Sequence, residues 1–349
     1  GFANDISKIR VRIVSDNAND RFDDAFWQRR VKYALQYRYT VMGPADFSCC
    51  RLIFGDADQM PGLTVDRYND VLVAQTLCYG MDQVKPVIFK ALVDELAAMG
   101  VSVRGIYERN DVKVRELDGM TQYKGWYEAD FLPQPGSPVT TINENGVMYD
   151  VDVENGQKTG FFLDQKYNRL AVAKIAAGRH VLDCFTHTGA FALNAAKGGA
   201  ASVTAVDVSE EAVAMTNENI RRNGMEQIVT AKQANVFDLL TEMAEQKCRD
   251  YDFIILDPPA FTKSGHTVHN AMRGYKEINL KAMKLLPRGG YLATCSCSHF
   301  MRDDLFRRML RDAGVHLRQI EGRQQSPDHP ILWNVPETDY LKFYLFQVV

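Results

Sequence analysis

From about residue 160 to the carboxyl end, short apolar runs alternate with longer stretches whose apolar positions recur every three or four residues. The runs predict buried strands, and the stretches between them predict amphipathic helices. Arg179–Phe185 reads as the first strand and is followed by a helix of small residues, Gly189 to Lys197. Ala201–Asp207 is the second strand, after which Ser209 caps a helix that opens on Glu210 and Glu211, where the helix dipole favours acids. Further strands are predicted near Ile228–Asn235, Tyr251–Asp257, Gly290–Cys297, Val315–Glu321 and Tyr340–Val349. This βα alternation predicts a parallel, doubly wound α/β sheet with right-handed crossovers.

The earlier part of the chain is patterned differently. Residues 16–138 mix a basic amphipathic helix (Asp24 to Tyr37), a strand at Val71–Leu77 and a helix near Val84–Met99, a smaller α+β domain. It closes on Leu132-Pro-Gln-Pro-Gly-Ser-Pro138, whose breakers read as a boundary. Residues 139–349 form the α/β domain. Residues 1–15 hold one β-like run, in which Lys8, Arg10 and Arg12 would share a face. One strand cannot fold alone, so this segment is expected to be the end of a β-rich domain.

At 349 residues, two or three domains are expected. Apolar residues make up 46% and charged ones 24%, the balance of a soluble globular chain, and no apolar run approaches the ~20 residues that span a bilayer. The seven cysteines have no zinc-type spacing, so no metal is expected, and free thiols fit a reducing cytoplasm. A net charge of −3 excludes indiscriminate nucleic-acid binding and leaves local basic patches to do that work.

Two constellations carry chemistry. Asp183-x-Phe185-x-x-x-Gly189-x-Phe191 lies at the first strand-to-helix turn and has one glycine, not the three that a dinucleotide pyrophosphate requires. Asp207 ends the second strand, where a carboxylate holds ribose hydroxyls. A ribose acid without a phosphate cradle suits S-adenosylmethionine; a generic turn with a capping Asp is the competing reading. The second constellation pairs strand ends. Asp257-Pro258-Pro259-Ala260-Phe261 closes one apolar run, and Cys297, between Ser296 and Ser298, closes the next. Ligands of open α/β sheets bind outside the carboxyl ends of the strands, so carboxylate and thiol face one crevice. Addition of a thiolate to carbon 6 of cytosine makes carbon 5 nucleophilic, and an acid at the pyrimidine edge shares the proton that N3 then needs. Cys297 and Asp257 supply those roles, Phe261 offers a ring for stacking, and Cys295 and Cys184 are expected to be structural. Arg273 and Lys276 follow a flexible Thr262–Met272 segment and either clamp RNA phosphate or lie on a solvated face. His187 and His299 are loop histidines, read as local hydrogen-bonders rather than bases.

Together these motifs resemble the bacterial 23S ribosomal RNA cytosine-5 methyltransferases of the ribosomal RNA large subunit methyltransferase I family, along essentially the whole chain. The resemblance rests on Gly62-Leu-Thr-Val-Asp-Arg67, Gln157-Lys-Thr-Gly-Phe-Phe-Leu-Asp-Gln165, Asp183 to Phe191, Asp207, Asp257 to Phe261, Arg273-Gly-Tyr-Lys-Glu-Ile-Asn279 and Ser296-Cys-Ser298. It implies a Rossmann-like class I methyltransferase sheet, with residues 1–15 as the end of a PUA-type RNA-binding domain. It implies S-adenosylmethionine held by Gln165, Asp183, Phe185, Thr188, Gly189, Phe191, Asp207, Asn235 and Pro258, and the RNA substrate contacted by Pro259, Phe261, Arg273 and Lys276. The partner is then 23S ribosomal RNA or a ribosome-assembly intermediate, with a homodimer admitted and no membrane. The chain departs from the family pattern at Ala260, where relatives often carry lysine, and at Asn235, where an acid is common. An RNA amino- or ring-nitrogen methyltransferase and a non-enzymatic cofactor-binding assembly factor are the rival functions.

Overall fold

The computed structural model describes residues 1–262 and 268–349. Backbone contacts divide them into two units. The first comprises residues 1–144, 149–164 and 326–338, and the second residues 145–148, 165–325 and 339–349.

In the first unit, β1 (Phe2–Ala3) and β2 (Val11–Arg12) pair antiparallel. The single strand expected in residues 1–15 is therefore two short ones. The chain doubles back between them, held by Ser7 Oγ donating to Asp118 at 2.5 Å, so Lys8, Arg10 and Arg12 do not share one strand face. Helix α1 (Asp24–Met42) starts where the Asp23 carboxylate accepts from Phe26 N. A five-stranded sheet follows, β3 (Cys49–Phe54), β4 (Leu63–Tyr68), β5 (Val71–Thr76), β6 (Gly105–Asn110) and β7 (Tyr123–Trp126), ordered as numbered. Helix α2 (Tyr79–Ala98) makes the crossover between parallel β5 and β6. Strands β8 (Val139–Glu144) and β9 (Val147–Asp152) form a separate two-stranded sheet.

The second unit contains α3 (Lys166–Ile175), β10 (His180–Cys184), α4 (Ala190–Lys197), β11 (Ser202–Asp207), α5 (Glu210–Arg222), β12 (Val229–Gln233), α6 (Val236–Glu245), β13 (Phe253–Leu256), α7 (Val268–Leu285), β14 (Tyr291–Ser296), α8 (Asp303–Arg311), β15 (Leu317–Arg323) and β16 (Lys342–Val348). Its sheet runs β12-β11-β10-β13-β14-β16-β15. Strands β10 to β14 are parallel as expected, but β16 is antiparallel to both its neighbours, so the sheet is mixed. The connection from β15 to β16 contains no α-helix, and without a crossover helix the chain returns in the opposite sense. Leu182, Cys184, Val206, Ile254, Leu256 and Leu292 form one core with α6, α7 and α8. The alternate residues, among them Asp183 and Cys295, point to the opposite face. The strand order reverses between β10 and β13, the position at which such sheets open a ligand crevice.

Candidate active site

The turn from β10 into α4 is built around a buried acid. One Asp183 oxygen accepts from Thr186 Oγ1 at 2.5 Å and from Ala192 N at 3.0 Å, while the other is buried with no partner. Burial, with the fields of Asp257 and Asp207 adding to it, pushes Asp183 up to about 7. Phe185, His187 and Gly189 all take positive φ, at 65°, 53° and 79°. Two of the three are not glycine, which marks a loop held in shape by its surroundings. Gly189 could not carry a side chain without strain, since a Cβ there would lie 2.8 Å from Thr216 Cγ2. Thr188 is buried, and its carbonyl accepts from Asn219.

Asp207, at the end of β11, receives His187 N at 2.9 Å on one oxygen and Ser209 N at 3.0 Å on the other. Each oxygen keeps a lone pair for a ligand hydroxyl. Ser209 caps α5 by accepting from Ala212 N, as its position predicts. Asn235 caps α6 through Oδ1, leaving its amide N–H groups as the part open to a ligand. Phe191 is buried in α4 with the Arg169 guanidinium 6.0 Å above its ring, which makes it a core side chain by position. Desolvation pushes His187 below its ordinary value, in keeping with a neutral structural ring.

Asp257 follows β13, and in the register of β13 and β14 its lateral neighbour is Cys295, one step beyond the Leu256–Thr294 pair. Gln165 Nε2 donates to Asp257 at 3.0 Å, and Gln165 in turn accepts from Asn168 at 2.6 Å. Both Gln165 and Asp257 bond to the buried Cys295 thiol, which burial holds well above an ordinary thiol. Cys297 lies one residue past the end of β14, partly exposed, between buried Ser296 and Ser298. The two thiols are thus sharply different, and the carboxylate sits level with the buried one.

Pro258 is buried and Pro259 exposed. Phe261 packs on Tyr275 at 4.6 Å between ring centroids and on Phe237 at 5.8 Å, and Phe237 meets Phe185 at 6.5 Å. An aromatic row therefore runs from the β10 loop to α7. Tyr275 is the residue that motif reading passed over in favour of its neighbours Arg273 and Lys276, which lie exposed on α7. Ser296 Oγ donates to Tyr275 Oη at 3.1 Å, and burial, with the fields of Cys297 and Asp257, raises the phenol. The signal was present in the helical stripe Ala271, Tyr275, Ile278, Ala282. Of the expected flexible segment Thr262–Met272, residues 263–267 lie outside the described residues, and α7 already begins at Val268.

The segment Gln157–Gln165 divides. Thr159 Oγ1 donates to Asp66 at 2.6 Å and the Tyr68 hydroxyl donates to Phe161 O at 3.0 Å, all within the first unit, whereas Gln165 belongs to the second. Asp66, from the Gly62–Arg67 motif, is also forked by Arg51 at 2.7 and 2.8 Å.

The chain is similar to a family of known methyltransferases. A family described as S-adenosylmethionine-dependent methyltransferase matches residues 110–347. A ribosomal RNA large subunit methyltransferase I from Shewanella denitrificans is 39% identical over 341 residues, covering 96% of this chain and 83% of its own. Its counterpart from Aeromonas salmonicida is 40% identical, covering 96% and 84%. Among solved structures, a proposed SAM-dependent methyltransferase from Streptococcus mutans superposes with a TM-score of 0.79 at 23% identity, covering 96% of this chain and 84% of that one. A tRNA m1G37 methyltransferase from M. jannaschii gives 0.52 at 16%, covering 87% and 76%. The chain belongs to the S-adenosylmethionine-dependent methyltransferases, within the ribosomal RNA large subunit methyltransferase I family.

Proposed function

We propose that this protein methylates carbon 5 of a cytosine in 23S ribosomal RNA through a covalent adduct on Cys297. The observation that carries the reading is the partly exposed Cys297 thiol just past β14, beside the Asp257 strand end, in a member of this family. The residues fit S-adenosylmethionine: Asp207 keeps lone pairs for the ribose hydroxyls, the one-glycine loop leaves no phosphate cradle, and buried Asp183 has an unpartnered oxygen beside that loop. Asp207, the 185–189 loop and the Asn235 amide would hold the cofactor, which supplies an electrophilic methyl group.

The Cys297 thiolate adds to carbon 6, forming a carbon–sulfur bond while the ring electrons move toward N3 and carbon 5. Asp257, steadied by Gln165, shares the proton that N3 requires. The phenyl ring of Phe261, backed by Tyr275, offers a face for the base. Once carbon 5 carries the methyl group it gives its proton to a base, the carbon–sulfur bond breaks, and Cys297 is restored. Arg273 and Lys276, both exposed, serve the RNA backbone in this reading. Free 23S RNA and an assembly intermediate are the two substrate forms to compare, and sedimentation would distinguish a monomer from the homodimer.

The test is transfer of a tritiated methyl group to ribosomal RNA lacking the modification, followed by nucleoside analysis. The label should appear in 5-methylcytidine. RNA with 5-fluorocytidine at the target should form a stable adduct that peptide mapping places on Cys297. Label in an amino- or ring-nitrogen product would overturn the reading in favour of the nitrogen-methylating rival.

A further inference from the structure

Lys342 opens β16 directly opposite Ser296, the last residue of β14. It is 6% exposed, yet its ammonium donates only to carbonyls, Ser298 O at 2.7 Å and Tyr340 O at 2.9 Å. No carboxylate lies within ion-pair distance of it among the described residues. A buried cation without a counterion is costly, so a fold that keeps one has another use for it. The carbonyl it grips most closely belongs to the residue after Cys297. Two of its three N–H bonds are spent on carbonyls, and the third remains for an anion at the tip of β14.

We propose that Lys342 is a positioning residue that stabilises the Cys297 thiolate and so makes that thiol, rather than Cys295, the nucleophile. The inference rests on the reading of Cys297 given above. Burial lowers Lys342 to about 8, opposed most by Cys297 and then by Asp339 and Asp303, so the ammonium form is present at neutral pH. Tyr275 of α7 and Cys295 of β14, both within the field of Cys297, are neutral because burial raises both, and the Asp257 carboxylate that also acts on them is the negative group Lys342 must oppose. A cation beside a cysteine lowers its pKa, and the thiolate is the reactive form.

The experiment is the pH dependence of Cys297 alkylation by iodoacetamide, followed by peptide mapping with half-buried Cys248 as internal reference. In the wild type the midpoint should fall clearly below the ordinary thiol value of about 8.5. In Lys342→Met it should rise by roughly one unit, with a tenfold drop in alkylation rate near pH 7. A folded Lys342→Met protein with an unshifted midpoint would overturn the proposal. If that variant does not fold, the wild type still tests the proposal, and a midpoint at or above about 8.5 overturns it. Failure of the covalent reading itself would show separately, as methyl transfer that survives Cys297→Ala.

Discussion

Cys295 and Cys297 stand two residues apart, the first fully buried and the second partly exposed. Cys295 is fully buried and its thiol is pushed up, so it stays protonated and unreactive. Cys297→Ala should therefore abolish methyl transfer without weakening cofactor binding, while Cys295→Ala should keep most of the activity; methylation assays with calorimetry on both variants check this. An adduct mapped to Cys295 would contradict it. At Asp207, bonds from a carboxylate to two ribose hydroxyls are charge-assisted. Asp207→Ala should cost about 1.5–3 kcal/mol of cofactor affinity, roughly tenfold to a hundredfold. Because the same carboxylate anchors His187 N and Ser209 N, a melting curve must accompany the titration. Unchanged affinity in a folded variant would remove Asp207 from the site. These residues were legible as motifs, since their types and spacing follow from strand ends and turns. The level of each side chain was not: the pairing of Asp257 with Cys295 depends on the register of two strands 38 residues apart in their partnered ends, Leu256 and Thr294.

At the scale of elements, the β10–α4 loop depends on one glycine. Gly189→Ala must accept a left-handed backbone and a Cβ 2.8 Å from Thr216 Cγ2. The conformation alone costs about 1–2 kcal/mol, and the contact adds to it. The melting temperature should drop, and adding Thr216→Ser, which removes the methyl but keeps the hydroxyl bonded to His187 O, should recover the steric part only. Full recovery, or none, would show that one of the two causes is absent. Apolar periodicity located β10 to β16 and most helices because each buries a stripe or face of fixed period. It failed at β16, whose direction depends on the connection before it rather than on its own residues. It failed also in residues 1–15, where the link to Asp118, more than a hundred residues away, folds a run that reads as one strand.

At the scale of the molecule, the chain leaves the second unit after β15 and returns residues 326–338 to the first. That excursion is fastened by Asp328, fully buried. One of its oxygens accepts from Arg51 N at 2.7 Å and the other lies 3.0 Å from His329 Nδ1. The Arg38 guanidinium donates to its carbonyl while forking Asp58. Burial raises the Asp328 carboxyl, but His329 and the other donors outweigh it and hold the group down to about 2. Its folded value lies below the unfolded value of about 3.9, so it stabilises the fold above pH 4 and that contribution is lost as pH falls toward 2. Asp328→Ala should cost about 3–5 kcal/mol, because it leaves buried donors unmatched. Denaturant titration should show that loss at pH 7, and the gap between wild type and variant should narrow as pH falls from 4 toward 2. Equal stability at pH 7 would mean that other contacts fasten the excursion.

What the sequence determined by itself is whatever local physics determines: strand and helix periods, the Ser209 cap, the glycine-poor turn after β10, and an acid and a thiol at the ends of successive strands. Those motifs also sufficed to name the family. Only tertiary structure decided the partners that arrive from far along the chain. The antiparallel β16 brings Lys342 to the tip of β14, and α7 turns Tyr275, not Arg273 or Lys276, toward Ser296. No local pattern encodes these meetings, because burial and charge at one strand end are set by whichever distant segment packs against it.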